Sequence, residues 1–301
     1  MSGAAKWEVL CCGPMGADLV FSGLDGFPAP GREVYGEGFA ILPGGSANTM
    51  FALHRLGLST ALVCGVGTDE MGGILRRWFE GAGLPTEGFV KSAGTAVSAV
   101  LPHAGERGFA TWLPAYDWPA IGQRLTACLA HSALLHTSSY NCTHLDIPAL
   151  CAGVPFTVDS SWHPELTLKG MAPTLAACRA YFTNADELAM LTGEADREKA
   201  LAMLCGYTET VVLKLGGEGC LIAAGGRQTV VPPCHAGEAV DATGAGDAFC
   251  AGFLYGLARG LGPAQCGRLA NACGAIAVTR AGGLATGLTI ARAFELAGLA
   301  G

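Results

Sequence analysis

The sequence predicts an α/β fold: a mainly parallel sheet flanked by helices, with a small projecting β-sheet lid. Three observations carry this. Short apolar, β-prone runs alternate with amphipathic stretches along most of the chain, two segments break the alternation without a helical period, and the last sixty residues are rich in glycine and helix formers. No internal repeat or linker divides the 301 residues, so one compact domain with an insertion is expected rather than two domains.

The expected strands are 7–12, 60–66, 132–136, 155–158, 180–183 and 210–215, each a buried-looking apolar run. Between them, 47–56, 69–82, 119–130, 143–152 and 185–192 place apolar residues three and four apart, the spacing of one helix face. Segments 32–42 and 95–113 do not fit either pattern. The second reads as a hairpin with its turn at 104–108, and lid segments at about 13–42 and 90–115 are expected from the two together. Three helices, 244–259, 263–279 and 289–299, close the chain.

Composition narrows the function classes. Eighteen basic against 25 acidic side chains give a net charge of −7, which leaves no basic patch for nucleic acid or an anionic membrane. The longest stretch without Asp, Glu, Lys or Arg, 125–145, holds three histidines and several other polar residues and is a poor membrane span. The opening MSGAAKWEVL has neither the apolar run nor the basic flank of a signal peptide, so a cytoplasmic protein is expected. Thirteen cysteines, without a CxxC or zinc-type spacing, read as small buried hydrophobes.

The strongest local signal is Val240-Asp241-Ala242-Thr243-Gly244-Ala245-Gly246-Asp247-Ala248-Phe249, a small-residue loop running into an apolar helix. Its Gly and Ala residues leave backbone N–H groups open to a ligand, and the helix start adds partial positive charge: an anion cradle. Asp247 stands in the first helical turn, where a carboxylate caps a helix as readily as it does chemistry. Beside a phosphate site, however, a carboxylate repels the ligand, so its presence there suggests a task as proton acceptor. A kinase needs this pairing of a base for a hydroxyl with N–H donors for the phosphoryl group in flight. Rival phosphate motifs are missing: none of the five lysines follows a glycine as Walker A requires, and neither Gly65-Val66-Gly67 nor Gly244-Ala245-Gly246 completes a dinucleotide fingerprint.

The DATGAGDAF run resembles the carboxyl-terminal signature of the ribokinase-like (PfkB) family of carbohydrate kinases. Pro43-Gly44-Gly45-Ser46-Ala47-Asn48, followed by TMFALHRLG and then Gly65-Val66-Gly67-Thr68-Asp69-Glu70-Met71-Gly72, resembles its amino-terminal signature, roughly 200 residues upstream. The resemblance covers nearly the whole chain. It implies a ribokinase-like three-layer fold, ATP and Mg²⁺ as cofactors, and phosphorylation of an alcohol group on a small sugar or sugar-like substrate.

Position by position, the resemblance makes Asp247 the base and Gly244, Ala245 and Gly246 the anion hole. Asp18 accepts hydrogen bonds from substrate hydroxyls, and Gly44, Gly45 and Asn48 line the same pocket. Asn184-Ala185-Asp186-Glu187 matches an NxxE motif in which Glu187 holds Mg²⁺ through water. Lys214, Gly216 and Gly219 form the nucleotide-side loop, Asn271 belongs to the adenine pocket, and Asp241 and Thr243, with carbonyls near 278–283, hold a monovalent cation such as K⁺. By residue pattern alone a turn residue is the favoured reading of Asp18, while Asn48 and Asn184 also read as helix caps and 214–219 as a hairpin turn.

The chain also departs from the family pattern. The first signature is one residue short between its glycines and Asn48, and the Lys, Asn and Glu that mark ribokinases proper have no counterparts, which argues against D-ribose as the acceptor. Arg32 and Arg107 on the lid are candidates for an anionic substrate group. A nucleoside kinase is the alternative within the class, requiring Trp112, Tyr116 or Tyr140 at the pocket; a non-catalytic sugar- or nucleotide-binding protein is the alternative outside it. Apolar lid residues Val97, Ala99, Phe109 and Trp112 suggest a homodimer through the small sheet.

Overall fold

The computed structural model describes residues 5–103, 106–161, 163, 165–280 and 282–300; the side chains of 102–107, Arg107 among them, lie outside the described residues. In chain order the strands are β1 (Val9–Cys12), β2 (Met15–Ser22), β3 (Gly38–Gly45), β4 (Thr60–Val66), β5 (Phe89–Lys91), β6 (Ala96–His103), β7 (Glu106–Trp112), β8 (Leu135–Ser138), β9 (Phe156–Asp159), β10 (Ala180–Asn184), β11 (Thr210–Lys214), β12 (Cys220–Ala224) and β13 (Arg227–Val231). Nine of them form one sheet in the order β13-β12-β11-β10-β9-β8-β1-β4-β5. Every neighbouring pair from β5 to β11 is parallel, and only the edge pairings of β12, with β11 and with β13, are antiparallel.

The period of two in these strands sends alternate residues to opposite layers. On β1, Val9 and Cys11 enter one core with the helices Ser46–Arg55, Ala245–Ala258 and Pro263–Ala277, while Leu10 and Cys12 enter another with Trp118–Leu129 and Leu168–Ala177. Both faces of the sheet are therefore covered, which is why its strands read as continuous apolar runs. All thirteen cysteines are free thiols, and all but Cys142, Cys205 and Cys234 are buried. Among the described residues, no helix is long and apolar enough to cross a membrane.

The second sheet has four strands in the order β3-β2-β6-β7, with β2 parallel to β6 and the outer pairs antiparallel. It stands on the main body through Asp69. This residue caps the helix Glu70–Gly81 through the Gly72 amide (2.8 Å) and also accepts from the Thr95 amide (2.8 Å) and hydroxyl (2.7 Å) at the foot of β6.

Several expectations shift. Segment 32–42 becomes a strand only from Gly38, because its partner is β2, which the sequence pattern did not reveal. Strand 132–136 moves to Leu135–Ser138. The helix expected over 143–152 divides into Ser139–Cys142 and Ile147–Cys151, since Pro148 cannot donate within a helix and Asp146 caps a fresh start through the Ala149 amide at 3.1 Å.

Candidate active site

The carboxyl ends of the parallel strands open onto one crevice, where sheets of this kind bind ligands. The helix Ala245–Ala258 starts there. Its N-cap Gly244 has φ 71°, and a Cβ at that position would collide with the Gly283 carbonyl, so only glycine turns the chain into the helix here. The Ala245 amide donates to Ala242 O at 3.2 Å, which leaves the next first-turn amides, of Gly246 and Asp247, as the donors for an anion.

Asp247 does not cap its own helix. Its carboxylate reaches across to Ser46–Arg55, accepting from Thr49 Oγ1 at 2.9 Å and Asn48 Nδ2 at 3.4 Å. Asn48 therefore sits inside a helix and not at its cap, which is Gly45. Burial pushes Asp247 up to about 6; the charge of Asp159 adds to the rise, while the Thr49 bond, Lys214 and Asn48 oppose it. A carboxylate so placed is ionised at neutral pH yet basic enough to take a proton.

Asp18 lies on β2 beside Gly44, where a Cβ would collide with its carboxylate. Burial, and then the charge of Asp247, raise Asp18 to about 7. The small sheet thus brings a second carboxyl group within electrostatic range of the first.

Two cavities meet at this helix start. One, of about 340 Å³, is lined by Asp247, Thr49, Gly45, His136, Tyr140 and Asp159, with Ser138, Ser160, Ser161 and His163 around them. His136 is buried and donates to or accepts from Thr157 Oγ1 at 2.9 Å, and burial lowers it to about 4, so it is neutral at physiological pH. The other cavity, of about 370 Å³, is lined by Gly246, Lys214, Gly216, Gly219, Asn271 and Phe249. Asn271 braces its wall by donating to Val231 O (3.2 Å) and Pro232 O (2.8 Å). A larger groove of about 570 Å³ between Ser46–Arg55 and Glu70–Gly81 contains none of the candidate residues.

Asn184 and Glu187 form a reciprocal capping box at the end of β10: Asn184 Oδ1 accepts from the Glu187 amide (2.9 Å), and Glu187 Oε2 accepts from the Asn184 amide (3.0 Å). Burial raises Glu187 above the usual carboxylate range despite the nearby Lys214. The box engages Oε2. The other Glu187 oxygen, Oε1, is left for a further partner; among the described residues, no cluster of three ligating His, Cys, Asp or Glu side chains is present. Asp241 ties its loop together, accepting from the Thr243 amide (2.9 Å) and hydroxyl (2.7 Å) and from the Gly282 amide (2.8 Å).

The sequence did not single out Thr49 or Asp159. Asp159 Oδ1 binds Lys214 Nζ at 2.7 Å. It was signalled only by position, as the first acidic residue after an apolar run at the carboxyl end of a parallel strand. Among the aromatic candidates, Tyr140 lines the first cavity, whereas Trp112 packs on Gly94 and Tyr116 on Gly65.

A model of the pfkB family carbohydrate kinases matches residues 9–289. An uncharacterised sugar kinase of Archaeoglobus fulgidus is 32% identical over 235 residues, which cover 73% of this chain and 91% of that protein. Fructokinase-2 of Zea mays is 32% identical over 292 residues, 86% of each chain. The fold matches that of Arabidopsis thaliana ribokinase, solved in complex with ribose and ATP, with a TM-score of 0.81 over 99% of this chain and 100% of that one at 21% identity. The matched span takes in both strand-end signatures and the helix that carries Asp247, and on this ground the chain belongs to the pfkB family of carbohydrate kinases.

Proposed function

We propose that the protein transfers the γ-phosphoryl group of ATP to an alcohol group of a small, uncharged sugar or sugar-like substrate, with Asp247 as the base. One observation carries this: the consecutive residues Gly246 and Asp247 line different cavities, so one helical turn presents a backbone donor to one ligand and a carboxylate to the other. Among the described residues, no Lys or Arg lines the cavity that holds Asp247; its hydroxyls, the His163 ring and the neutral His136 suit a polyhydroxyl acceptor better than a phosphosugar.

The acceptor hydroxyl donates to the Asp247 carboxylate, which Thr49 and Asn48 hold in place. Its oxygen attacks the γ-phosphorus, the bond from that phosphorus to the β-bridging oxygen breaks, the proton passes to Asp247, and ADP leaves. The amides of Gly246 and Asp247 donate to the transferring oxygens. Glu187 and Asn184 would hold hydrated Mg²⁺, which when bound supplies charge neutralisation for the phosphates. Asp241 and Thr243 would hold K⁺, adding to the bonds that fasten their loop to Gly282.

Asp18 approaches the acceptor from the small sheet, which we read as the lid. The exposed lid side chains Phe39, Phe109 and Trp112 suit pairing with a second copy in a cytoplasmic homodimer, and a monomer in light scattering would refute it. A nucleoside acceptor is the second reading, favoured by the Tyr140 and His163 rings, 5.5 Å apart at the cavity wall. An ADP-release screen over pentoses, hexoses, sugar acids, phosphosugars and nucleosides tests the proposal. Turnover confined to phosphosugars would refute the uncharged acceptor, and no turnover with any would refute the kinase reading.

A further inference from the structure

We propose that Asp159 is a positioning residue: its carboxylate holds the Lys214 ammonium at the junction of the two cavities, beside Gly246 and clear of Asp247, so that the charge meets the phosphoryl group in transfer instead of neutralising the base. The inference rests on the kinase reading above and names one more pair of side chains in it.

The geometry is built by the sheet. Asp159 ends β9 and Lys214 ends β11, with β10 between them; Phe182 stands opposite Asp159 in register, and Asn184 opposite Lys214. Two strand spacings are about 10 Å, so the lysine arm must lie across the end of β10 to bring Nζ within 2.7 Å of Asp159 Oδ1. The side chains are only 14% and 19% exposed. A pair so far out of water gains little net stability, because desolvating both ions offsets their attraction. A buried ion pair at the mouth of a ligand crevice is better accounted for by what it does there.

Its location indicates the task. Asp159 lines the cavity that holds Asp247, and Lys214 lines the cavity that holds Gly246. A methyl group on Gly246 would sit 3.7 Å from Lys214 Nζ, which puts the ammonium beside Gly246 in the first helical turn. Among the described residues, Lys214 is the one Lys or Arg lining either cavity. Charge developing on a transferring phosphoryl group calls for a fixed cation at this spot. Burial by itself would lower the Lys214 ammonium, but the charge of Asp159, its hydrogen bond and the charge of Glu187 outweigh it and keep the lysine charged.

Asp159 also settles a competition. Lys214 is near enough to Asp247 to draw that carboxyl downward. Without Asp159 the strongest remaining anchors for the ammonium are Asp247 and Glu187, the base and the proposed metal ligand, and pairing with either would disable it. When nucleotide occupies its cavity, the ammonium can keep Asp159 and still donate to phosphoryl oxygen, since it carries three protons.

The test is a double-mutant cycle of Asp159→Asn and Lys214→Met on the full chain, with kcat and both KM values measured on the best acceptor and thermal unfolding recorded for each variant. Asp159→Asn should lower kcat about tenfold or more while each KM moves less than about threefold. Adding Lys214→Met should cost no more than Lys214→Met alone, because the carboxylate acts only through the lysine. Asp159→Glu, which restores the charge on a longer arm, should recover part of the lost kcat. A folded Asp159→Asn with kcat within about twofold of wild type, or losses that multiply in the double variant, would overturn the inference and leave the kinase reading intact. If Asp159→Asn does not fold, the cycle is run with Asp159→Glu; there a kcat about threefold down or more supports the inference, and an unchanged kcat overturns it. No ATP consumption by the wild type with any acceptor overturns the kinase reading and this inference with it.

Discussion

Asp247→Asn separates catalysis from folding at one position. The amide keeps the shape of the carboxylate, its oxygen can still accept from Thr49, and Asn48, whose Oδ1 finds no partner among the described residues, can rotate to accept from the new NH₂. What the substitution removes is charge and basicity. Burial raises the Asp247 carboxyl from 3.8 to about 6, so the folded protein holds this proton more tightly than the unfolded chain does. The associated stability is complete below the ordinary carboxylate range and is lost as pH rises through about 6. A shift of about two pH units corresponds to about 3 kcal/mol, an upper bound because the carboxylate borders an open cavity. At pH 8 the variant should therefore unfold at a higher temperature than wild type. Loss of a general base should lower kcat by about a hundredfold to ten-thousandfold. The assays are coupled ADP release and thermal unfolding at pH 8, with a wild-type kcat/KM profile that falls as pH drops from about 7 through about 6, where Asp18 and then Asp247 take up protons. Activity within about tenfold of wild type, some 1.4 kcal/mol of barrier, would refute Asp247 as the base.

Three further outcomes follow from the same geometry. Gly244→Ala forces a side chain onto φ 71° and into the Gly283 carbonyl; about 1–3 kcal/mol of destabilisation and a loss of kcat are expected, checked by denaturant unfolding and turnover. Asp18→Asn should raise the acceptor KM by about tenfold or more and leave the nucleotide KM unchanged, since a hydrogen bond to a charged group is worth about 1.5–3 kcal/mol; a shift in both KM values would move Asp18 off the acceptor. Glu187→Gln keeps an oxygen for the capping box and removes the charge, so the Mg²⁺ concentration for half-maximal activity should rise by about tenfold with little change in unfolding; an unchanged Mg²⁺ titration would remove Glu187 from the metal site.

Much of the main sheet could be read directly, because strands buried on both faces appear as unbroken apolar runs: 60–66 and β4 coincide. The small sheet was harder. β2 reads MGADLVFS, with glycine and aspartate inside a strand whose residues are mostly only partly buried, so it does not follow an apolar alternation. Glycine-rich turns and helix starts in the candidate site were legible because backbone conformation constrains residue type locally. The Asp159–Lys214 pair was not, since its partners are 55 residues apart and meet only after two strands have paired with β10. Thr49 was hidden for the same reason: its bond to Asp247 spans 198 residues.

The placement of Gly246 and Asp247 makes the helix itself the partition between two cavities. Consecutive helical residues point about 100° apart, so one turn can face a nucleotide and an acceptor at once, provided the helix neither rotates nor slides. The structure restrains both movements from behind. Gly252 and Gly256, further along the helix, leave room for Pro263–Ala277 to pack against its backbone: a Cβ at Gly252 would lie 2.8 Å from Leu269 O, and one at Gly256 2.7 Å from Cys266 Sγ. A larger residue at Gly252 must displace backbone, and the shift would be felt at Asp247, five positions and about 7–8 Å up the helix axis. Gly252→Val should therefore lower kcat and raise both KM values although it touches no ligand. A loss confined to stability, with the kinetic constants of the folded fraction unchanged, would show that the partition tolerates movement and that the close packing serves the core alone.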